Sequence, residues 1–423
     1  MTSNIKVYIT VLLLLLLLGT VAHAQLPVMP LDSVLNRILK DNPMLQEFEY
    51  RAKAQNAMAK GARSQMAPMV GAGVFMYPYP GQMNMEGQEM GGQDDAMYMT
   101  SVEQDITNPA KLKAREKYQL SKAAIEEAGR GMTFNQLRAQ AKTAYYQWVV
   151  LEKKKSVLLE SQRIMQFMLK LSKVRYPFNQ SSLGSIYKAE GRLGEVENML
   201  TMTDSEIEMK NIQLNMLMNL PPENRFSVDT TVQATVLAVL PDTSSLSAAR
   251  SDIRQIDRTI ESMQLNLRLE NLQRKPDFGI RFENMMPRDR MMPQSFTLMG
   301  MVSIPIAPWS SKMYKANATA MNLEIQGMRK GRENLLNEAR NMVASMALEL
   351  QAKRTQVQNY EKKIIPALRR NYETTLLGYE QNTGQLPQVI DAWEALNMAQ
   401  MEYLNNLEQL YLIGVNYEKE LEK

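Results

Sequence analysis

The stretch Ala110–Tyr176 constrains the chain more than any other. It lies between Pro109 and Pro177, holds no proline, and is rich in Ala, Leu, Lys, Glu, Gln and Met, all good helix formers. Gly129 and Gly131 are its only weak points. Read as one helix it runs to roughly 100 Å at the usual rise per residue. A lone helix of that length cannot hide its apolar stripe, so other long helices must lie against it. The same object recurs at Trp309–Ile365, between Pro308 and Pro366, with Gly327 and Gly331 near the matching place. Gly131 and Gly331 sit 200 positions apart, as do Ile106 and Ile306, so the chain reads as a two-fold repeat.

Residues 1–24 read as a signal peptide. Lys6 precedes the apolar block Val7–Leu18, and Ala22-His23-Ala24 has the small-x-small form of a cleavage site. The block is short for a membrane span; a permanent anchor is the alternative. The first repeat then covers 25–225 and the second 248–423, with 226–247 as a Pro/Thr/Ser/Val linker. Each has the order helix, strand, loop, strand, long helix, turn, helix. In the first repeat Leu31–Met66 reads as a helix interrupted at Pro43. Met69–Pro78 and Ala96–Ile106 alternate as strands about the length an outer-membrane barrel needs. In the second, Ala248–Arg274 is helical, Phe278–Asn284 and Ser295–Ile306 are strands, and Met285–Gln294 is a loop. Pro366 kinks the second long helix. Leu183–Leu220 carries Ile186, Leu193, Leu200, Ile207 and Leu214 seven apart, with Ala189, Val196 and Leu217 in a second seam broken by Thr203 and Lys210, a coiled-coil pattern. The turns before the last helix of each repeat align at an offset of 203: Tyr176 with Tyr379, Asn179 with Asn382, Leu183 with Leu386, Ala189 with Ala392.

The chain is therefore mainly α with a small β part. Four strands cannot close a membrane barrel, which needs about eight or more, and open edges are not tolerated in lipid. Several chains must pool their strands, unless the strands form a soluble layer on a helical stalk. Composition narrows the function further. The chain has no Cys, and its one histidine is His23, inside the leader. Zinc sites, thiolate chemistry and the commonest general base are thus missing from the mature chain, and no nucleotide loop or nucleophile constellation is present. The expectation is no enzyme and no cofactor. A net charge of +4 without a Lys/Arg run does not favour nucleic acid.

At this point the pattern resembles the TolC-type outer-membrane efflux proteins across essentially the whole mature chain. The residues that carry the resemblance are Ala249-Arg250-Ser251-Asp252-Ile253, Lys275-Pro276-Asp277, Val302-Ser303-Ile304-Pro305-Ile306, Gly378-Tyr379-Glu380 and Val389-Ile390-Asp391-Ala392. The resemblance implies a homotrimer in the outer membrane, extending into the periplasm. Each chain would lend four strands to one twelve-stranded β-barrel, and the coiled-coil helices would form a trimeric α-barrel below it. It implies a passive exit duct of a tripartite pump, docked to a periplasmic adaptor and an inner-membrane transporter, RND type foremost, and seated in outer-membrane lipid. A secreted coiled-coil structural protein and a periplasmic adaptor are the competing classes; the adaptor lacks two copies of the strand pair.

The resemblance also implies a periplasmic gate held partly by acidic residues at the last turn. Asp391 matches the second acidic position, Gln388 stands where the first would be, and the basic position reads Gly384. The first half offers Ser185 and Lys188 in the equivalent stretch. An ordinary first-turn acid stabilised by the helix dipole is the plainer reading of Asp391.

Methionine is abundant, at 34, and 14 of these fall in Met66–Met99 and Met285–Met301. Met83, Met85 and Met90 lie in one expected loop; Met285, Met286, Met291 and Met292 lie in the other. Thioether sulfur favours Cu(I) and, by the same logic, Ag(I), so copper or silver is one candidate cargo, in the manner of the heavy-metal branch of these ducts. Methionine also fills irregular cores. A general drug, bile-salt or solvent duct and a type I secretion duct remain the alternatives.

Overall fold

The computed structural model describes residues 27–75, 96–232, 242–288 and 293–422. The expected signal peptide, the end of the first expected strand with the whole loop that follows it, part of the linker, and Met83, Met85, Met90, Met291 and Met292 lie outside the described residues.

The chain divides into two compact units that cut across the repeats. One takes residues 43–136, 238–348 and 417–423 and contains a four-stranded sheet. Its strands are β2 (Met69–Phe75), β3 (Met97–Ile106), β5 (Asp277–Pro287) and β6 (Ser295–Ser303), antiparallel throughout in the order β2-β3-β5-β6. The central pair joins one strand from each half of the chain, and β2 and β6 are edges. β5 runs three residues past the sequence reading, so Met285 and Met286 belong to a strand, not to a loop. The alternation simply continues through them: Met285 sits opposite Met99 and Met286 opposite Tyr98.

Helices α2 (Pro43–Gly61) and α6 (Ser251–Asn271) pack in the same unit beside the start of α3 (Pro109–Arg175). α3 runs unbroken through the two glycines that looked like weak points. A Cβ on Gly131 would stand 3.2 Å from the Ser251 Cβ, and one on Gly129 would stand 3.0 Å from the Phe48 ring. These glycines let neighbouring helices approach. Gly327 and Gly331, in α7 (Pro308–Asn359), meet nothing within 4 Å. The Arg250-Ser251-Asp252 motif has a packing role as well. The Arg250 guanidinium donates to Asp252 and to Glu420, and the Ser251 backbone N–H and hydroxyl both donate to Glu422, at 2.7 and 2.6 Å. Burial works against the Arg250 charge, but the carboxylates of Asp252 and Glu420 outweigh it and raise its pKa.

The other unit takes residues up to 42, 137–237 and 349–416 and is helical. It holds the rest of α3, α1 (Leu31–Asp41), α4 (Leu183–Leu217), the end of α7, α8 (Ile365–Glu380) and most of α9 (Leu386–Leu421). The second long helix passes through a π turn, Tyr360–Ile364, directly before α8 begins with Pro366 in its first turn, so the regular α-helical ladder is interrupted at the proline. The stretch read as a linker holds β4 (Ser227–Val228), parallel to β1 (Val28–Met29), and α5 (Thr243–Ala249) lies at its far end. Tyr145 fastens the strand pair: its hydroxyl donates to the Met29 carbonyl and accepts from the Asp229 N–H at 2.9 Å. Along α4 the seam is buried at Ile186, Ala189, Val196, Leu200 and Leu214. Thr203 is buried too, because its hydroxyl bonds back to the Met199 carbonyl at 2.8 Å.

Candidate channel wall and gate

The period of two along the strands, read through the pairing register, sorts the sheet into two unlike faces. One carries Val70, Val74, Tyr98, Val102, Ile280, Phe282, Phe296 and Leu298, interrupted mid-sheet by the Thr100–Asn284 pair. These large apolar side chains are exposed. The other face carries Glu103, Asp105, Asp277, Arg281 and Glu283 with Ser101, Thr297 and Ser303. Several of its charges are paired: Arg281 bonds Glu103 across β3 and β5, and Lys111 from α3 bonds Asp277. Over Met97–Val102 of β3 the charged-face residues are less exposed than their neighbours. An exposed apolar face, a less exposed charged face and two unpaired edges form a wall segment, not a finished barrel.

In the helical unit the two turns lie against one apolar cluster, which includes Met165, Met168, Tyr372, Leu386, Trp393 and Leu396. The two turns follow the same backbone course. Asn179 and Asn382 occupy the left-handed region at φ 56° and 60°, which asparagine tolerates well. The N–H of Asn179 donates to Tyr176 and that of Asn382 to Tyr379, both at 3.1 Å. The N–H of Gln180 reaches back to Arg175 and that of Thr383 to Gly378, closing a Schellman-like end in each.

No family model and no curated protein matches the chain. Solved structures do match. The outer-membrane channel OprN superposes with a TM-score of 0.73 at 14% identity, over 92% of this chain and 89% of that one. CusC, solved in a study of folding and transmembrane channel formation, gives 0.73 at 13% identity, over 92% and 91%. The Campylobacter jejuni CmeC outer membrane channel gives 0.68 at 14% identity, over 92% and 85%.

The chain has the TolC-type channel fold. Within that fold, two of the residues expected at a gate touch each other. Lys188 Nζ donates to Asp391 Oδ1 at 2.6 Å, which joins equivalent positions of the two halves. Both side chains are more than a third exposed, so the pair is worth about 0–1 kcal/mol. Ser185 and Gln388 are the other equivalent pair, and each has work inside its own helix. The Ser185 N–H donates to the Ser182 side chain at 3.1 Å. The Gln388 side chain accepts from the Gln385 N–H at 3.2 Å, the return arm of a capping box. Gly384 stands where a basic residue was sought. A Cβ there would lie 3.3 Å from the Tyr379 nitrogen, so the turn is packed too closely for a long side chain to leave it freely.

Sequence reading missed Arg175. Its guanidinium donates to the Tyr379 and Glu380 carbonyls at 2.7 and 3.0 Å and lies 4.5 Å over the Tyr379 ring. It thereby caps the end of α8 from the other hairpin. The signal was present: at the offset of 203 its counterpart is Gly378, a side chain in one half only. Arg192, which bridges Glu394 and Glu195, was missed as well. Met285 and Met286 fall on opposite faces of the sheet and cannot share an ion. Among the described residues no helix is long and apolar enough to cross a membrane, and no cluster of three His, Cys, Asp or Glu side chains suits a metal.

Proposed function

We propose that this chain is the outer-membrane exit duct of a tripartite efflux pump. It acts as a passive homotrimeric channel, partnered by a periplasmic adaptor and an inner-membrane transporter. One observation carries the reading: a sheet with an exposed apolar face, a charged opposite face and two open edges has unmet needs on three sides. Lipid meets the first, an aqueous lumen the second, and further copies of the chain the edges. A water-soluble coiled-coil protein would leave the Phe282 and Leu298 face against solvent. In this reading Lys188 and Asp391 are the gate pair, while Ser185 and Gln388 shape the helix starts behind it. The weak charge pair means that closure rests mainly on packing, and opening is a shift between packed states. Copper and silver are the narrower cargo reading, supported by the methionine content.

The test is made on the full chain purified in mild detergent. Trimers that form ion-conducting channels in planar bilayers are expected, and Asp391→Ala is expected to raise conductance or weaken cation block. A monomer that conducts nothing refutes the duct; a conducting trimer indifferent to Asp391→Ala removes that residue from the gate.

A further inference from the structure

We propose that the charged face of the sheet carries a thioether site for Cu(I) or Ag(I), built on Met97, Met99 and Met285. The proposal rests on reading that face as the wall of the lumen.

The strand methionines are sorted against their hydrophobicity. A thioether side chain is apolar and would be cheapest on the lipid face. Yet Met69, Met97, Met99, Met285, Met299 and Met301 all fall on the face that holds Glu103, Arg281 and Glu283. Among the described strand residues, Met286 alone falls on the apolar face. Filling apolar space does not explain that distribution; presenting sulfur to the aqueous side does.

Three of these sulfurs are placed to converge. Met99 and Met285 are register partners on adjacent strands, so their Cβ atoms stand about 4.5–5.5 Å apart. Met97 is the next residue along β3 on the same face, beside Pro287. All three are half-buried, so they are shielded without being sealed off. Their flanks are small. Gly73 lies beside Met99 with nothing within 4 Å of a would-be Cβ, and Ser295 lies beside Met285. The flexible thioethers therefore have room to turn toward a common ion. Glu283, two residues from Met285 on the same face, lends negative charge to a site whose ligands are neutral. Neutral sulfur ligands suit a soft monovalent cation and discriminate against Mg²⁺ and Ca²⁺, which take oxygen. No described residue is a cysteine or histidine that would compete. A site of three neutral thioethers at the lumen wall would hold such an ion exchangeably, as a waypoint in a duct must.

The experiment uses the full chain in mild detergent, titrated with silver nitrate in chloride-free buffer. Silver retained after desalting is measured per chain, and silver–sulfur coordination is read by X-ray absorption. The M97L/M99L/M285L variant is expected to lose about one bound silver per chain, as removal of a single three-sulfur site requires. M286L, on the opposite face, is expected to retain wild-type uptake. M99L alone, a milder change, is expected to weaken uptake at this site at least about tenfold. Silver uptake unchanged in the triple variant, or equally reduced in M286L, overturns the site. Trimer state and bilayer conductance are recorded on the same samples. A conducting trimer with unchanged silver uptake refutes the site and leaves the duct standing, whereas protein that neither trimerises nor conducts refutes the duct and the site's placement with it.

Discussion

The turns around Asn179 and Asn382 share a backbone and differ in what they hide. At the offset of 203, Tyr176 is 45% exposed and Tyr379 2%; Tyr187 is 62% exposed and its counterpart Ile390 is fully buried. Leu183 and Leu386 differ in the same sense. Yet Ile186 and Val389, and Ala189 and Ala392, are buried in both halves. The repeat has thus kept one seam, by which the hairpins pack within the chain, and changed the role of the neighbouring positions. The second turn is finished inside one chain. The first turn leaves an apolar flank open, in the same way that the sheet leaves its edges open. In the proposed trimer a duplicated hairpin would have two kinds of neighbour, one within the chain and one beyond it, and this asymmetry fits that proposal.

The sharpest way to break that comparison is to truncate matched positions. Ile390→Ala is expected to cost about 2–5 kcal/mol, because it opens a cavity in a packed cluster. In a monomeric state Tyr187→Ala is expected to cost under about 0.5 kcal/mol, as at other exposed sites. Thermal unfolding of both variants, as trimer and as dissociated chain, decides between the halves. If Tyr187→Ala becomes costly only in the trimer, another copy covers the first turn. If the two costs are alike in the isolated chain, the asymmetry is not real.

Next in size is Arg175→Ala. It removes two charge-assisted hydrogen bonds to the end of α8 and the contact over Tyr379, and about 1–3 kcal/mol is expected. Arg175→Lys is expected to recover less than half of the loss in thermal midpoint, since an ammonium cannot match the planar fork. Full recovery by lysine would reduce Arg175 to a simple charge. A smaller contrast divides the glycine pairs. Gly331→Ala is expected to stabilise by up to about 1 kcal/mol through helix propensity, as nothing stands where its Cβ would go. Gly131→Ala forgoes that gain, because the Ser251 Cβ stands 3.2 Å away and Glu422 holds Ser251 in place. Destabilisation by Gly331→Ala in the trimer alone would show that a neighbouring copy fills the open space.

What the sequence made legible follows from how local each signal is. Proline-bounded runs of helix formers marked both long helices to within a residue or two at most ends, because helix breaking is a property of single residues. Alternation found all four strands of the sheet, but it ran only to Asn284 in β5, since a methionine-rich run resembles a loop and a strand equally well. The glycines of α3 were misread for a related reason: propensity counts their cost, and only the packed structure reveals that Ser251 and Phe48 need the space. Asp391 was picked out by the family resemblance and Lys188 by the repeat, yet their contact was not foreseeable, because pairing across hairpins depends on how the helices are rotated. The sorting of strand methionines was available in principle from parity, but it had no meaning until the register showed which parity of one strand faces which of the next.

Tyr372 offers the last and smallest test of the comparison. Its counterpart at the same offset is Leu169, and both lie in or against the same apolar cluster. Burial, with the nearby carboxylates of Glu160, Glu380 and Glu373, pushes the Tyr372 pKa up to about 12. An unfolded chain releases that proton near pH 10. Between these values the unfolded state binds fewer protons than the folded one, so stability must fall as pH rises from about 10 to about 12 and be unaffected below. Tyr145, Tyr403 and Tyr411 are shifted the same way by burial and contribute to the same slope. Tyr372→Phe is therefore expected to leave neutral-pH stability nearly unchanged and to reduce the alkaline slope by the share of about one proton. Tyr372→Leu, which makes the second half resemble the first, should reduce the slope equally while adding a packing cost at every pH. An alkaline slope untouched by either change would mean that the phenol reaches water in the folded protein, and that the cluster is open on the side where the second half is otherwise closed.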